Sequence, residues 1–294
     1  MLHVNHLTRD YGGGRGIFDV DFSVERGEVF GFLGPNGAGK TTTIRHLMGF
    51  LRPRQGSCTI SGKSCWQDRA DIQRDVGYIP GEMAFPEDMT GEGYLRFYAG
   101  YRGMADTGRT RELLRRFELE PKGKLKKMSK GMKQKIGIVA AFMHDPGVLV
   151  LDEPTSGLDP LMQNRFIELI LEEKERGKTI LMSSHMFEEV ERTCHRIAII
   201  REGRIAAVDA VDAIKAKQHR RYVVTLGTEE EARRFAEAGL TVERTEGTKV
   251  TVRVKSSPRE LIAQMNRFDV LNLSAPTQSL EEIFLQYYGR NGHE

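Results

Sequence analysis

Cysteine is nearly absent from this 294-residue chain: Cys58, Cys65 and Cys194 are the only three, an odd number with no C-x-x-C spacing. That argues against a disulfide framework and a zinc site, and for a reducing compartment. Imbalance of charge is missing too. Lys and Arg total 44 against 41 Asp and Glu, a formal net charge of +3, which is no global field for nucleic acid. Long apolar runs are also lacking. VLVL at 148–151 and IAII at 197–200 are far too short to span a bilayer, and the start MLHVNHLTRD does not carry the charged-then-apolar pattern of a signal peptide. No internal repeat or low-complexity tract is evident. What is present, 39% hydrophobic and 29% charged residues, fits a cytosolic globular protein with one large domain, or a main domain and a smaller companion.

Short strands dominate the first section. FDVDFSV (18–24) alternates as a half-buried antiparallel strand does, whereas VFGFL (29–33) does not alternate, as suits a strand buried on both faces. From about 85 to 145 the texture changes: GEGYLRFYAGYR and TRELLRRFEL place apolar residues at helical spacing, so a mostly helical insertion is expected. Strand-like VLVLD, TILMSS and RIAIIREGRIAAV then alternate with helical QNRFIELILEEKERG and MFEEVERTC, which predicts a mainly parallel sheet with helices on both faces. Near Lys215 the pattern shifts again, and 216–294 reads as a small α+β domain in the order strand, helix, hairpin, helix, strand, helix. Three of its helix starts show capping boxes, Thr228 with Glu231, Ser257 with Glu260 and Ser279 with Glu282, and Pro258 is expected at a first helical position.

Two segments carry chemistry. GPNGAGKT, Gly34 to Thr41, satisfies G-x-x-x-x-G-K-[ST] between an apolar strand and the helical TTTIRHLMGF, the context a phosphate-binding loop requires. Its glycines let successive N–H groups of Gly34, Pro35-Asn36-Gly37, Ala38, Gly39 and the helix start through Thr42 converge on phosphate oxygens, proline itself having none to give. Lys40 is placed to reach the β- and γ-phosphates, and the Thr41 hydroxyl to bind Mg²⁺. GVLVLDEP, 147–154, is a buried strand ending in two acids: Asp152 for the magnesium and Glu153, facing the other way, as acceptor of a proton from the attacking water. Acids often merely end a strand; following a phosphate-binding loop, the pair reads as catalytic.

With both motifs in order, residues 1 to about 215 resemble the ATP-binding subunit of an ABC transporter. The resemblance implies an α/β fold of the P-loop NTPase class: an ABC ATPase core with an N-terminal antiparallel β part, a helical insertion and a small C-terminal α+β domain. It implies ATP and Mg²⁺ as cofactors. Tyr11 matches the aromatic that stacks on adenine, SGLDP (156–160) the D-loop in which Asp159 helps join two subunits, and His185 the switch histidine that contacts the γ-phosphate. MSKGM (128–132) stands where the family has LSGGQ. In the family two subunits bind head to tail, so Ser129, Lys130, Gly131 and Met132 would close over ATP held by a second copy. The lysine-crowded run from Lys122 onward is thereby part of an active site rather than only a solvated face, though Lys122 and Lys124 keep the solvated reading.

Lys130 in place of glycine and Met132 in place of glutamine resemble exporters of the drug and antibiotic type, as do GFLGPNGAGKTTTIRHLMGFLRP and SLEEIFLQYY. Gly81 stands where the family has the Q-loop glutamine, which touches the metal and the attacking water. The expectation is an ATP-hydrolysing subunit that powers a membrane exporter, partnered by a permease on another chain and a second copy of itself, with no nucleic acid, at the cytoplasmic face of the membrane. The alternatives are a non-transport ABC ATPase acting on nucleic acid or ribosomes, against which stands the lack of a second ATPase half, a long coiled coil or a zinc insertion, and a P-loop kinase, against which stand the signature and the D-loop.

Overall fold

The computed structural model of the chain describes residues 1–104, 108–216, 220–254 and 258–275. In chain order the first part runs β1 (Leu2–Gly12), β2 (Arg15–Val24), β3 (Val29–Leu33), α1 (Lys40–Leu47), β4 (Gln55–Ile60), β5 (Lys63–Ser64), α2 (Arg69–Ile72), β6 (Val76–Ile79), α3 (Gly91–Tyr101), α4 (Arg109–Arg116), a 3₁₀ turn at Leu125–Lys127, and α5 (Lys130–Phe142). It continues with β7 (Val148–Asp152), α6 (Pro160–Glu175), β8 (Thr179–Ser184), α7 (Phe187–Thr193), β9 (Arg196–Arg201), β10 (Arg204–Ala210) and α8 (Val211–Ala216). Beyond lie β11 (Arg220–Leu226), α9 (Glu229–Ala236), β12 (Val242–Glu246), β13 (Lys249–Val254), α10 (Arg259–Met265) and β14 (Val270–Ser274). Contacts divide the chain into two units, Met1–Val211 and Asp212–Glu294.

The first unit holds two sheets. An antiparallel one has the order β2-β1-β4-β5, and a six-stranded one the order β10-β9-β3-β8-β7-β6, in which β9, β3, β8, β7 and β6 run parallel and β10 pairs antiparallel at the edge. β3, β7 and β8 are buried along their whole length, which is why they read as continuous apolar runs, whereas β2 alternates. Phe22 of β2 stacks on Phe30 of β3 with ring centroids 5.4 Å apart and tilts over Phe32 at 5.2 Å, joining the two sheets through aromatic rings. Between residues 85 and 145 the described elements are α3, α4 and α5 with the 3₁₀ turn. α5 buries Ile136 through Phe142, and Phe142 meets Phe166 of α6 edge-on.

The second unit is a four-stranded antiparallel sheet, β12-β13-β11-β14, whose Val224, Leu226, Val250 and Val252 pack against Ala232 and Phe235 of α9 and Leu261 of α10. The Thr228 hydroxyl accepts from the Glu231 N–H at 3.2 Å, as its capping box predicts. Pro258 stands just before α10 rather than as its first residue. Ser257, and the expected last helix with Ser279 and Glu282, lie outside the described residues.

All three cysteines are buried and free. Burial pushes the Cys58 and Cys194 thiols up to about 12, and Cys65 further in the same direction. Among the described residues no helix is long and apolar enough to cross a membrane.

Candidate active site

Four neighbouring parallel strands, β3, β8, β7 and β6, end on one edge of the sheet, and each delivers a segment singled out from the sequence. Leu33 lies opposite Ser184, Asp152 opposite Ser183, and Ile79 opposite Leu151. The loop 34–39, His185, the Asp152–Glu153 pair and Gly81 are therefore neighbours by register alone, at the carboxyl ends where open α/β sheets bind ligands.

The loop after β3 exposes Pro35, Asn36, Gly37 and Thr41, while Gly34, Ala38 and Lys40 are buried. Gly39 precedes α1 at φ 111°, a left-handed conformation, and a Cβ there would meet Ile17 at 2.6 Å, so only glycine fits. No side chain caps α1 and no acid lies in its first turn, which leaves its positive end available to an anion. Lys40 runs beneath the loop: its amine donates to the Gly34 carbonyl at 2.7 Å and the Pro35 carbonyl at 3.2 Å, and stands 3.2 Å from Glu153 Oε1. The β1–β2 hairpin crosses against Gly39 through Gly16 and Ile17. Tyr11, half exposed, is carried on that hairpin with the Arg9 guanidinium over its ring.

Asp152 and Glu153 diverge, but not as two residues of one strand: β7 ends at Asp152 and Glu153 begins the turn that follows. Asp152 is fully buried; Ser183 Oγ donates to its Oδ1, and Thr41 Oγ1 donates to its Oδ2 at 2.7 Å. Glu153 instead faces Lys40, and its Oε2 lies 3.4 Å from His185 Nδ1. One carboxylate thus joins the phosphate-loop lysine to the histidine. Its backbone is unusual: φ is 47°, left-handed for a non-glycine residue, a conformation costing about 1–3 kcal/mol that persists only where neighbours fix it. Those neighbours include Ser183, whose carbonyl and hydroxyl accept from the Glu153 N–H at 3.2 and 3.1 Å.

Gly81 sits directly on this site. A Cβ there would be 3.0 Å from Asp152 Oδ2 and 3.8 Å from Thr41 Oγ1. A side chain at position 81 would point among the groups expected to hold magnesium, and this chain supplies none. Glu82, next along, is exposed. The oxygen pair of Thr41 and Asp152 suits a hard cation that keeps part of its water shell, and its location beside Lys40 suits one bound to phosphate oxygens.

The signature segment lies on α5. Ser129 caps that helix, its hydroxyl accepting from the Met132 N–H at 3.2 Å, and no acid occupies the first turn. The helix begins at Lys130, one residue before the sequence suggests. Lys130 does not stand free: its amine donates to Ser156 Oγ at 3.0 Å. Met132 is partly exposed. Asp159 caps α6, Oδ1 accepting from the Met162 N–H at 3.0 Å. The structure brings Lys40, Thr41, Asp152, Glu153, His185 and Gly81 into one cluster. Lys130 and Gly131 meet the D-loop of the same chain at Ser156 and Gly157.

Sequence reasoning missed Ser183, which holds both acids, and Glu189 of α7. The Glu189 carboxyl is buried and accepts from Ser184 Oγ at 2.8 Å. Burial pushes its pKa up, partly offset by hydrogen bonds from Thr155 and Ser184. It anchors the strand end from which His185 projects.

Comparison with known proteins gives this geometry a family. The family model described as ABC transporter matches residues 17–156. The Nod factor export ATP-binding protein I of Paraburkholderia xenovorans is 34% identical over 98% of this chain and 97% of its own length. The bacitracin transport ATP-binding protein BcrA of Bacillus licheniformis is 36% identical over 76% of this chain and 74% of its own. Among solved structures, one titled as the ATP binding subunit of an ABC transporter superposes with a TM-score of 0.67 at 36% identity, covering 74% of this chain and 92% of the other. The phosphate-loop motif, two acids with separate partners and a signature helix, with one such relative matching over 98% of the chain, place this protein in the ABC transporter family, as one of its ATP-binding, ATP-hydrolysing subunits.

Proposed function

We propose that this subunit powers an exporter of drug-like, antibiotic or similar cargo, working in head-to-tail pairs with a permease on another chain that holds it at the cytoplasmic face of the membrane. The observation that carries the site assignment is the single cluster of Lys40, Thr41, Asp152, Glu153 and His185 at one sheet edge. Export is supported by the likeness to relatives named for bacitracin transport and Nod factor export, and by the SKGM variant of the signature.

In this reading Gly34 to Gly39 and the first turn through Thr42 cradle the phosphates, with Lys40 turning from the Gly34 and Pro35 carbonyls to the β- and γ-phosphates. Thr41 and Asp152 would hold Mg²⁺, which when bound offsets the charge of the phosphate oxygens. Glu153 takes the proton of the attacking water, and His185, already beside its Oε2, holds the γ-phosphate in line. Tyr11 stacks on adenine. Ser129, Lys130, Gly131, Met132 and Asp159 act on the nucleotide or the interface of the second copy, the positive end of α5 facing the γ-phosphate.

With Gly81 in the glutamine's place, Thr41 and Asp152 would hold Mg²⁺ without a side chain from position 81 or 82, because a further carboxylate beside Glu153 and the phosphates would add charge where it is least stable. Glu82 then serves the surface that receives the permease. The Glu82→Ala variant is expected to keep the basal ATPase of the isolated subunit within about twofold, a difference below ~0.5 kcal/mol, and to weaken permease-coupled turnover. Measuring both rates, with and without the permease in proteoliposomes, decides it. A loss in the isolated subunit as severe as that of Glu153→Gln places Glu82 at the metal instead. Stimulation by nucleic acid rather than by a permease overturns the transport reading altogether.

A further inference from the structure

We infer that the signature helix α5 also serves the ATP site of its own chain, with Gln134 as a positioning residue for Glu153. The inference rests on Glu153 being the base proposed above.

Three contacts carry it. Gln134 is buried, and its Nε2 donates to the Pro154 carbonyl at 2.7 Å. That carbonyl belongs to the residue directly after Glu153. One turn earlier on α5, the Lys130 amine donates to Ser156 Oγ at 3.0 Å, while its methylenes lie over Gly157, whose Cβ would stand 3.1 Å from them. Between these two, Gly131 is pressed against the Gly157 carbonyl: a Cβ at 131 would be 2.6 Å from that oxygen. The turn itself is closed by the Ser156 N–H donating to the Glu153 carbonyl at 3.1 Å. One face of α5 therefore grips residues 154, 156 and 157 in succession.

Glu153 needs such a grip. Its φ of 47° is a left-handed backbone with a proline next, and the chain there will relax unless both sides are fixed. Ser183 fixes the amide side of Glu153; Gln134 fixes the carbonyl side, one residue on. Relaxation would draw the carboxylate away from Lys40 and His185, and a misplacement on the order of 1 Å is enough to slow a positioned reaction about a hundredfold. Ser129, which caps the same helix, lies five residues before Gln134, about 7.5 Å along the axis. A rigid α5 thus touches two nucleotide sites in a head-to-tail pair, the partner's through its N-terminus and its own through its flank.

The test is Gln134→Met, nearly the same length and without the donor. The expected result is a fall in kcat of at least about tenfold, with KM for ATP within threefold of wild type and the dimer formed with a non-hydrolysable ATP analogue retained. A lowered melting temperature with unchanged kcat at room temperature overturns the inference, since a merely structural glutamine behaves so. A rise in KM together with loss of the dimer overturns it too, because the defect then lies on the signature face. Should Gln134→Met yield no folded protein, Ser156→Ala at a partly exposed position replaces it. A threefold or greater drop in kcat at constant KM supports the brace, and an unchanged kcat overturns it. Glu153→Gln is measured alongside: if it hydrolyses normally, the role of Glu153 fails, and if it stalls while Gln134→Met does not slow, only the brace fails.

Discussion

ATP turnover by the Lys40→Ala variant is expected to fall by about a hundredfold or more, the usual effect of deleting one preorganised group aimed at developing charge. Lys40 is the buried cation beneath the phosphate loop, and its amine already gathers the Gly34 and Pro35 carbonyls and Glu153 Oε1 within 3.2 Å. In the proposed site alanine removes the charge assigned to the β- and γ-phosphates, in a reaction that rests on positioning and electrostatics. It also leaves the two carbonyls without their donor and Glu153 without its counter-charge. Steady-state release of phosphate from the purified subunit measures the effect. Retention of more than a tenth of wild-type turnover, a deficit below ~1.4 kcal/mol, contradicts the assignment of the loop.

Glu153→Gln should fail in a different way. The amide is nearly isosteric and any non-glycine side chain meets the same left-handed backbone at 153, so the turn and its grip by α5 are kept. What is lost is the proposed proton acceptor and the negative charge between Lys40 and His185. Nucleotide is expected to bind and hydrolysis to stall, so that in the proposed head-to-tail pair ATP stays between Lys40 of one copy and Ser129 of the other. Size-exclusion with ATP and Mg²⁺ over a range of protein concentrations is expected to show a dimer that wild-type protein, which hydrolyses its ATP, does not accumulate. A variant that stays monomeric at every concentration rules out the head-to-tail arrangement.

How far these residues could be read in advance depended on how local their geometry is. The loop at Gly34 to Thr41 is set by its own glycines between one strand and one helix, and β3 and α1 appear where the sequence puts them. Asp152 and Glu153 were legible as a pair of acids after an apolar run, but the strand ends at Asp152, and it is the left-handed turn at Glu153, not strand alternation, that sends the second carboxylate to Lys40. Gln134 was not legible. In the run KGMKQK it has no motif of its own, and its bond to Pro154, twenty positions later in the chain, is a non-local contact. Lys130, expected to close over the ATP of a second copy, also bonds Ser156 of its own chain, a contact that no local spacing announces. The contact of Gly81 with Asp152 and Thr41 depended on the β6–β7 register, a non-local pairing across a whole helical insertion. In the second unit, where α9 and the β12–β13 hairpin are short-range, the order of described elements follows the sequence closely, and the start of α10 differs by one residue at a proline.

The buried thiols have a practical consequence for watching two copies close on ATP. Cys58, Cys65 and Cys194 are all buried, with their ionisation pushed far above neutrality, and maleimide and iodoacetamide reagents attack the thiolate. At pH 7 the native chain is therefore expected to be almost silent toward them. A fluorophore or spin label placed on a cysteine introduced at Tyr101, exposed at the end of α3 and away from the residues assigned to the nucleotide, would be the sole attachment point without first stripping the natural cysteines. Distances between two such labels would then report subunit closure in the otherwise unaltered sequence.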